Sequence, residues 1–243
     1  MAGYREITPD GPDAGLLECA WQSRHDRPCT QRVLPDGCMD LLLLDARPTV
    51  AGPDTAAHLA TGPAGAVTTG LLFRPGILPG LLGVPADALR DARTPLEDLL
   101  PGPPSRAVLD TVRALADDPD ADDVPRLLLG VTRALREAAD DRRPLPDPLP
   151  RPALRALARG TPAAEVADLL GITSRTLHRH CLATLGYGPS VARRVLRFRA
   201  ASSLLFAGVP TTEVAARTGY ADQPHLSREV RALAGVSPTT LTG

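Results

Sequence analysis

The feature that most constrains how this chain can fold is an internal repeat near its C-terminal end. Glu165-Val166-Ala167 and Gly171 return 48 residues later as Glu213-Val214-Ala215 and Gly219. One inserted residue then moves the offset to 49, so that Leu177 matches Leu226, Arg179 matches Arg228, Ala183 matches Ala232, Gly186 matches Gly235 and Pro189 matches Pro238. A unit of roughly 27 residues therefore occurs twice.

Each copy has the anatomy of two short helices joined by a turn. In the first unit, 161–185, Thr161 is placed to cap a helix starting at Pro162, with Val166, Leu169 and Leu170 on its apolar face. Gly171 ends that helix, and Thr173 or Ser174 caps a second one running to about Leu185. Leu177, Cys181 and Leu185, at i, i+4 and i+8, form its buried stripe, which leaves Arg175, His178 and Arg179 exposed near its N-terminal end. In the second unit, 211–234, Thr211 or Thr212 caps a helix through Thr218, Gly219 breaks it, and Asp222 caps the next, with Pro224 in its first turn. Leu226 and Val230 are its buried stripe; Gln223, Ser227, Arg228 and Arg231 are exposed.

A helix docked in the major groove of DNA presents this N-terminal part to base edges, where Arg pairs with guanine and Gln with adenine. Between the units, 190–206 reads as one helix of 17 residues, roughly 25 Å long. Val191, Val195, Phe198, Ser202 and Leu205 give its buried face, and Arg193, Arg194, Arg197 and Arg199 lie elsewhere on it. Such a spacer suits two recognition helices about one DNA turn apart, roughly 34 Å. Ser174, Arg193, Arg194, Arg197 and Arg231 are the candidates for phosphate contacts.

The charge distribution points the same way. Residues 1–150 hold 15 Arg against 23 acids, a balance of −8, whereas residues 151–243 hold 12 Arg against 5 acids, a balance of +7. This asymmetry suits a nucleic-acid-binding module joined to a non-binding one, although a basic half also suits an anionic membrane or an acidic partner. Lysine and asparagine are absent, so every cationic contact comes from a guanidinium, which grips phosphate or guanine with two hydrogen bonds.

The boundary between the halves lies at 140–152, where proline occupies 144, 146, 148, 150 and 152. Each ring removes a backbone donor and biases its predecessor toward extended geometry, which predicts a semi-rigid linker. Before it, 1–139 reads as mixed α+β: strands first, around Leu41–Leu44 and Gly70–Phe73, then helices at Ile77–Leu82, Ser105–Ala116 and Val124–Ala139. The all-α tandem helix-turn-helix part, 153–243, follows.

The segment from about Leu154 to Leu241 resembles the DNA-binding module of the AraC/XylS family of bacterial regulators, most specifically in GYADQPHLSREVRALAGVSP, 219–238. The resemblance implies base-reading positions at Arg175, His178, Arg179, Gln223, Pro224, Ser227 and Arg228. It departs at Val230, where family members often carry a bulky aromatic. The stretches VLPDGCMDLLLL (33–44), VAGPDT (50–55) and LLFRPGILPGLLGVPADALRD (71–91) are similar, more weakly, to actinobacterial sensing domains of such regulators. That likeness implies a cupin-like β-structure with added helices that binds a small-molecule effector or makes a homodimer. The tandem helix-turn-helix module points to double-stranded DNA as partner, with RNA polymerase a further one. The scattered cysteines Cys19, Cys29, Cys38 and Cys181, with no CxxC pair and no apolar h-region at the N-terminus, predict a cytoplasmic protein, on the nucleoid when bound.

Other residues attract attention. His178 and His180 point about 200° apart on a helix, and the spacing of Cys29 and Cys38 fits no zinc pattern, so no metal and no cofactor are expected. Trp21, Cys38 and Arg74 are candidates for an effector pocket; Arg74 also suits pairing with an N-terminal acid. No membrane span is expected, since no apolar run reaches roughly 18 residues. GxSxG, Walker and HExxH motifs are missing, so the chain is not expected to be an enzyme. An adaptor using the tandem helices for protein contacts, or an enzyme with an unmotifed N-terminal site, remain the competing readings.

Overall fold

A computed structural model describes residues 3–9, 15–44, 47–100, 106, 110, 131–132, 134–137, 139 and 145–243. The strands are β1 Gly3–Ile7, β2 Leu17–Arg24, β3 Cys29–Val33, β4 Met39–Leu44, β5 Arg47–Ala51, β6 His58–Gly62, β7 Val67–Phe73 and β8 Arg93–Pro95. Six of them form an antiparallel sheet in the order β1-β2-β7-β4-β5-β8, and β3 pairs with β6 in a separate ribbon. Alternation sets the buried face: Leu17, Leu41, Val50, Leu71 and Phe73 face one core. Two short helices, α1 Ile77–Leu82 and α2 Leu96–Leu99, cover that face with Leu78, Leu82 and Leu96.

Leu41–Leu44, Gly70–Phe73 and Ile77–Leu82 fall on β4, β7 and α1, as their patterns predict. The helices expected at 105–116 and 124–139 lie largely outside the described residues. Those described there are helical, and Val131 and Leu135 join the N-terminal core.

The C-terminal part is all helical: α3 Arg151–Ala158, α4 Ala163–Leu169, α5 Ser174–Leu185, α6 Pro189–Phe206, α7 Thr211–Arg217, α8 Gln223–Ala234 and α9 Pro238–Thr242. The long helix α6 divides its apolar face between two cores. Ala192, Val195 and Leu196 pack with α3, α4 and α5, whereas Phe198, Ala201 and Leu205 pack with α7 and α8. Val230 is fully buried in the second core, which also holds Phe198 and Tyr220.

The structure corrects three local expectations. Neither Thr161 nor Thr211 or Thr212 caps its helix: Pro162 and Pro210 hold those positions with no side-chain cap. Extended geometry before the first helical residue, which proline favours, does the work instead. Helix α3 begins inside the expected linker, at Arg151, with Pro152 in its first turn, where a missing N–H costs nothing. The rest of that stretch, 145–150, is extended, yet it is no free spacer: Leu149 is buried in the first helical core, and the Asp147 carbonyl accepts from His180 Nε2.

The two halves are docked on each other. Arg90 Nη1 donates to the Gly186 carbonyl at 3.3 Å, at the C-terminal end of α5. Arg32 Nη1 donates to the Ala234 carbonyl and the Ala57 N–H to the Leu233 carbonyl, both at 2.7 Å, at the C-terminal end of α8. The last carbonyls of a helix lack intrahelical partners and carry partial negative charge, so guanidinium groups suit them. The β half thus holds the rear end of the second helix in both repeat units.

Gly52 makes a close approach at the base of this arrangement: a Cβ there would lie 1.6 Å from the Leu89 carbonyl oxygen, which is backbone and cannot swing away. Gly52→Ala is therefore expected to destabilise the protein by more than about 3 kcal/mol, read from urea or thermal unfolding.

Candidate functional site

The proposed reading faces follow from capping and burial. Thr173 Oγ1 accepts from the Thr176 N–H at 3.1 Å and starts α5; Asp222 Oδ1 accepts from the His225 N–H at 2.7 Å and starts α8. With Leu177, Cys181 and Leu185 buried, Ser174, Arg175, His178 and Arg179 stand exposed on α5. On α8, Leu226 and Val230 are buried while Gln223, Pro224, Arg228 and Arg231 are exposed and Ser227 is half-buried. The His178 ring rests against Gly188, where a Cβ would come within 2.8 Å of it, so part of that ring is committed to packing.

Three of the four arginines of α6 have partners inside the molecule. Arg194 pairs with Glu229 on α8, with N–O distances of 2.9 and 3.3 Å. Arg197 lies 4.2 Å over the Tyr220 ring and donates to the Gly219 carbonyl at 3.4 Å. Arg199 turns to the β half, contacting Glu18 at 3.5 Å and donating to Cys38 Sγ at 3.3 Å. Arg193 is half-buried, with its Nε unpartnered. Of the phosphate candidates, Arg194 and Arg197 thus tie α6 to the second unit, an assignment that the sequence pattern does not reveal. Ser174 and Arg231 are the exposed ones.

A second feature lies between the two sheets: a cavity of about 460 Å³, walled on one side by Phe198, Arg199 and Ser202 of α6. Trp21 and Cys38 line it. Arg74 is not among the lining residues; it faces Glu18 at 4.0 Å. Trp21 lies flat over Gly70, its cross-strand partner, where a Cβ would sit 2.6 Å from the indole.

The polar chemistry of the cavity was not apparent in the sequence. Trp21 Nε1 donates to Asp40 Oδ1 at 2.9 Å, and Asp36 Oδ1 accepts from the Cys38 N–H at 2.8 Å. Arg93 makes a two-pronged pair with Asp54 at 2.8 and 2.7 Å. Burial, aided by the neighbouring Asp36 charge, pushes the Asp40 carboxyl up to about 7, while the Trp21 hydrogen bond and Arg93 hold it down. Burial and Asp36 likewise raise the Cys38 thiol. Alternation along β4 marks Asp40 as polar in an apolar strand, which was the available signal.

Paired helix-turn-helix units with polar N-terminal faces define a DNA-binding class of protein. Residues 166–242 match the family described as "Helix-turn-helix domain", and this C-terminal part is a helix-turn-helix domain of the AraC type. Residues 5–95 match "Domain of unknown function (DUF6597)". The HTH-type transcriptional regulator RipA of Corynebacterium glutamicum is 36% identical over 111 residues, 42% of this chain and 33% of that protein. The matched region is thus about a third of that relative's length.

Among solved structures, ToxT from Vibrio cholerae O395 aligns over 92% of this chain and 95% of that chain, with a TM-score of 0.46 and 9% identity. Unsaturated fatty acid bound wild-type ToxT from Vibrio cholerae strain SCE256 aligns over 99% and 94%, with a TM-score of 0.42 and 10% identity. No described helix is long and apolar enough to cross a membrane.

The raised Asp40 carboxyl makes stability depend on pH. In the folded chain it keeps its proton up to about pH 7, whereas its ordinary value is 3.8. Folding therefore takes up a proton in that window, and this group's contribution falls as pH rises from about 4 to about 7. Asp40→Asn preserves an acceptor for Trp21 and removes the titration. Relative to wild type it should gain on the order of 1–3 kcal/mol between pH 5 and pH 8, measured by urea unfolding at both.

Proposed function

We propose that this chain is a sequence-specific DNA-binding transcriptional regulator whose two recognition helices, α5 and α8, enter successive major grooves. The observation that carries the reading is that both helices pack on one helix, α6, with capped, polar N-terminal turns left uncovered by the other described residues. The basic balance of 151–243 supplies the sequence-independent attraction to phosphate. Arg175, His178 and Arg179 are the base-reading set on α5, and Gln223, Pro224, Ser227 and Arg228 the set on α8. Ser174, Arg193 and Arg231 serve the backbone.

The β half, gripping the rear of both helices, is the controlling part. It acts through a small molecule or through pairing with a second copy of the chain. RNA polymerase is the partner through which such control reaches transcription. The reading involves no catalytic step, and it places the protein in the cytoplasm.

Arg179 and Arg228 occupy equivalent positions in the two units. Selection of bound sites from random duplex DNA by the full chain should return two short motifs about one helical turn apart, roughly 10 base pairs. Arg179→Ala should cost roughly 1–3 kcal/mol and relax preference in one motif only, and Arg228→Ala should do the same in the other. Identical preferences for wild type and both variants would show that these faces do not read bases. Loss of Arg194, tied to Glu229, should instead weaken both motifs together.

A further inference from the structure

The cavity between the sheets has a charge balance that selects its occupant. Its two guanidinium groups are already answered: Arg93 by both oxygens of Asp54, and Arg199 by Glu18 and Cys38. Its other two aspartates are not. Among the described residues no cation lies within ion-pair distance of Asp36 or Asp40, on which Arg199 and Arg93 act only from further off; the side chains accept from the Cys38 N–H and the Trp21 indole. A carboxylate ligand would meet these two acids with no free guanidinium to hold it. A cation would meet Asp40, which has no cation within ion-pair distance, and from about pH 7 upward would answer its carboxylate charge in a part-buried site where Coulomb attraction is less screened than in water.

Three further features bear on the ligand. Trp21, pinned over Gly70, lies 6.1 Å from Tyr4 between ring centroids, so two aromatic rings stand near the carboxylate. Aromatic faces attract alkylated and protonated amines. The remaining walls include Leu42, Ala51, Leu72 and Phe198, which suit an apolar body. Ser202 Oγ, on a residue only 6% exposed, has no hydrogen-bond partner among the described residues and lines the same space. A buried hydroxyl without a partner is costly, and a ligand N–H or O–H would satisfy it. The volume of about 460 Å³ lies in the range of small-molecule sites.

We propose that this cavity binds a small organic cation, an ammonium group on an apolar or aromatic body, with its charge set against Asp40 and its body against Trp21. The inference rests on the regulator reading only for what the ligand controls: Phe198, Arg199 and Ser202 belong to the helix that carries both recognition units, so occupancy bears directly on their spacer.

Trp21 is the sole tryptophan of the chain, so intrinsic fluorescence reports on the cavity wall. The whole chain would be titrated at about pH 8, where Asp40 is ionised, with phenethylamine, octylamine and benzyltrimethylammonium, and with hydrocinnamate and octanoate as matched carboxylates. Fluorescence and calorimetry would be read together. At least one ammonium probe should bind saturably below about 10 mM, with both carboxylates at least about tenfold weaker. Asp40→Asn should weaken that ammonium at least about tenfold, the loss of a buried charge partner. No saturable response to any of the three ammonium probes overturns the assignment. Carboxylates binding as tightly as the amines, or unchanged ammonium affinity in Asp40→Asn, overturns it too. If that variant does not fold, the wild-type preference between amines and carboxylates decides alone. Binding of selected duplex DNA is measured in parallel. Duplex binding without probe binding sinks the cavity assignment only, and probe binding without duplex binding sinks the regulator reading only.

Discussion

Everything in the C-terminal half depends on the double burial of α6. An 18-residue helix normally turns one stripe toward one core. Here the first half of the stripe closes the core of one repeat unit and the second half closes the core of the other. Each two-helix unit completes its core with residues of the shared helix, so the spine contributes to the stability of both. The same sharing fixes their mutual orientation, because a packed helix interior does not bend or stretch to accommodate a rearrangement. Arg194 with Glu229 and Arg197 on Tyr220 lock the second unit to the spine from outside its core.

The β half adds a second level of constraint. Its guanidinium groups Arg90 and Arg32 reach the open carbonyl ends of α5 and α8, far from their N-terminal reading turns. The other described residues leave the reading faces uncovered while the rear ends are held. The cavity lies directly beneath this grip, with the two-stranded ribbon on one side and α6 on another. Arg32 belongs to that ribbon, in β3. A change in the distance between the sheets therefore has short mechanical routes to both recognition helices, one through β3 and one through α6.

The tandem units were legible because their information is local. The Glu-Val-Ala and Gly repeats, the Thr173 and Asp222 caps, the left-handed Gly171 and Gly219, and the i, i+4 stripe of Leu177 and Cys181 each act within a few residues. Strand and helix positions around Leu41, Gly70 and Ile77 were legible for the same reason. The proline-rich stretch was half legible. Alternating prolines dictate extended backbone from 145 to 150, but nothing in them indicates that Leu149 is buried or that Asp147 meets His180.

By itself, then, the sequence determined the two helix-turn-helix units, the helix between them, the basic half and the face each recognition helix turns outward. Backbone propensity and side-chain periodicity suffice for those. Tertiary structure alone decided which arginines remain free for DNA. Arg194, Arg197 and Arg199 look alike on a helical wheel, and their partners Glu229, Tyr220 and Glu18 come from distant segments. It also decided the chemistry of the cavity. Asp36, Asp40 and Asp54 are three acids among many until the sheets close around them, and only then does it matter that Asp54 is hydrogen-bonded to a guanidinium while Asp36 and Asp40 feel theirs only from further off. Charge pairing acts over a few ångströms in space, and no sequence spacing encodes that distance.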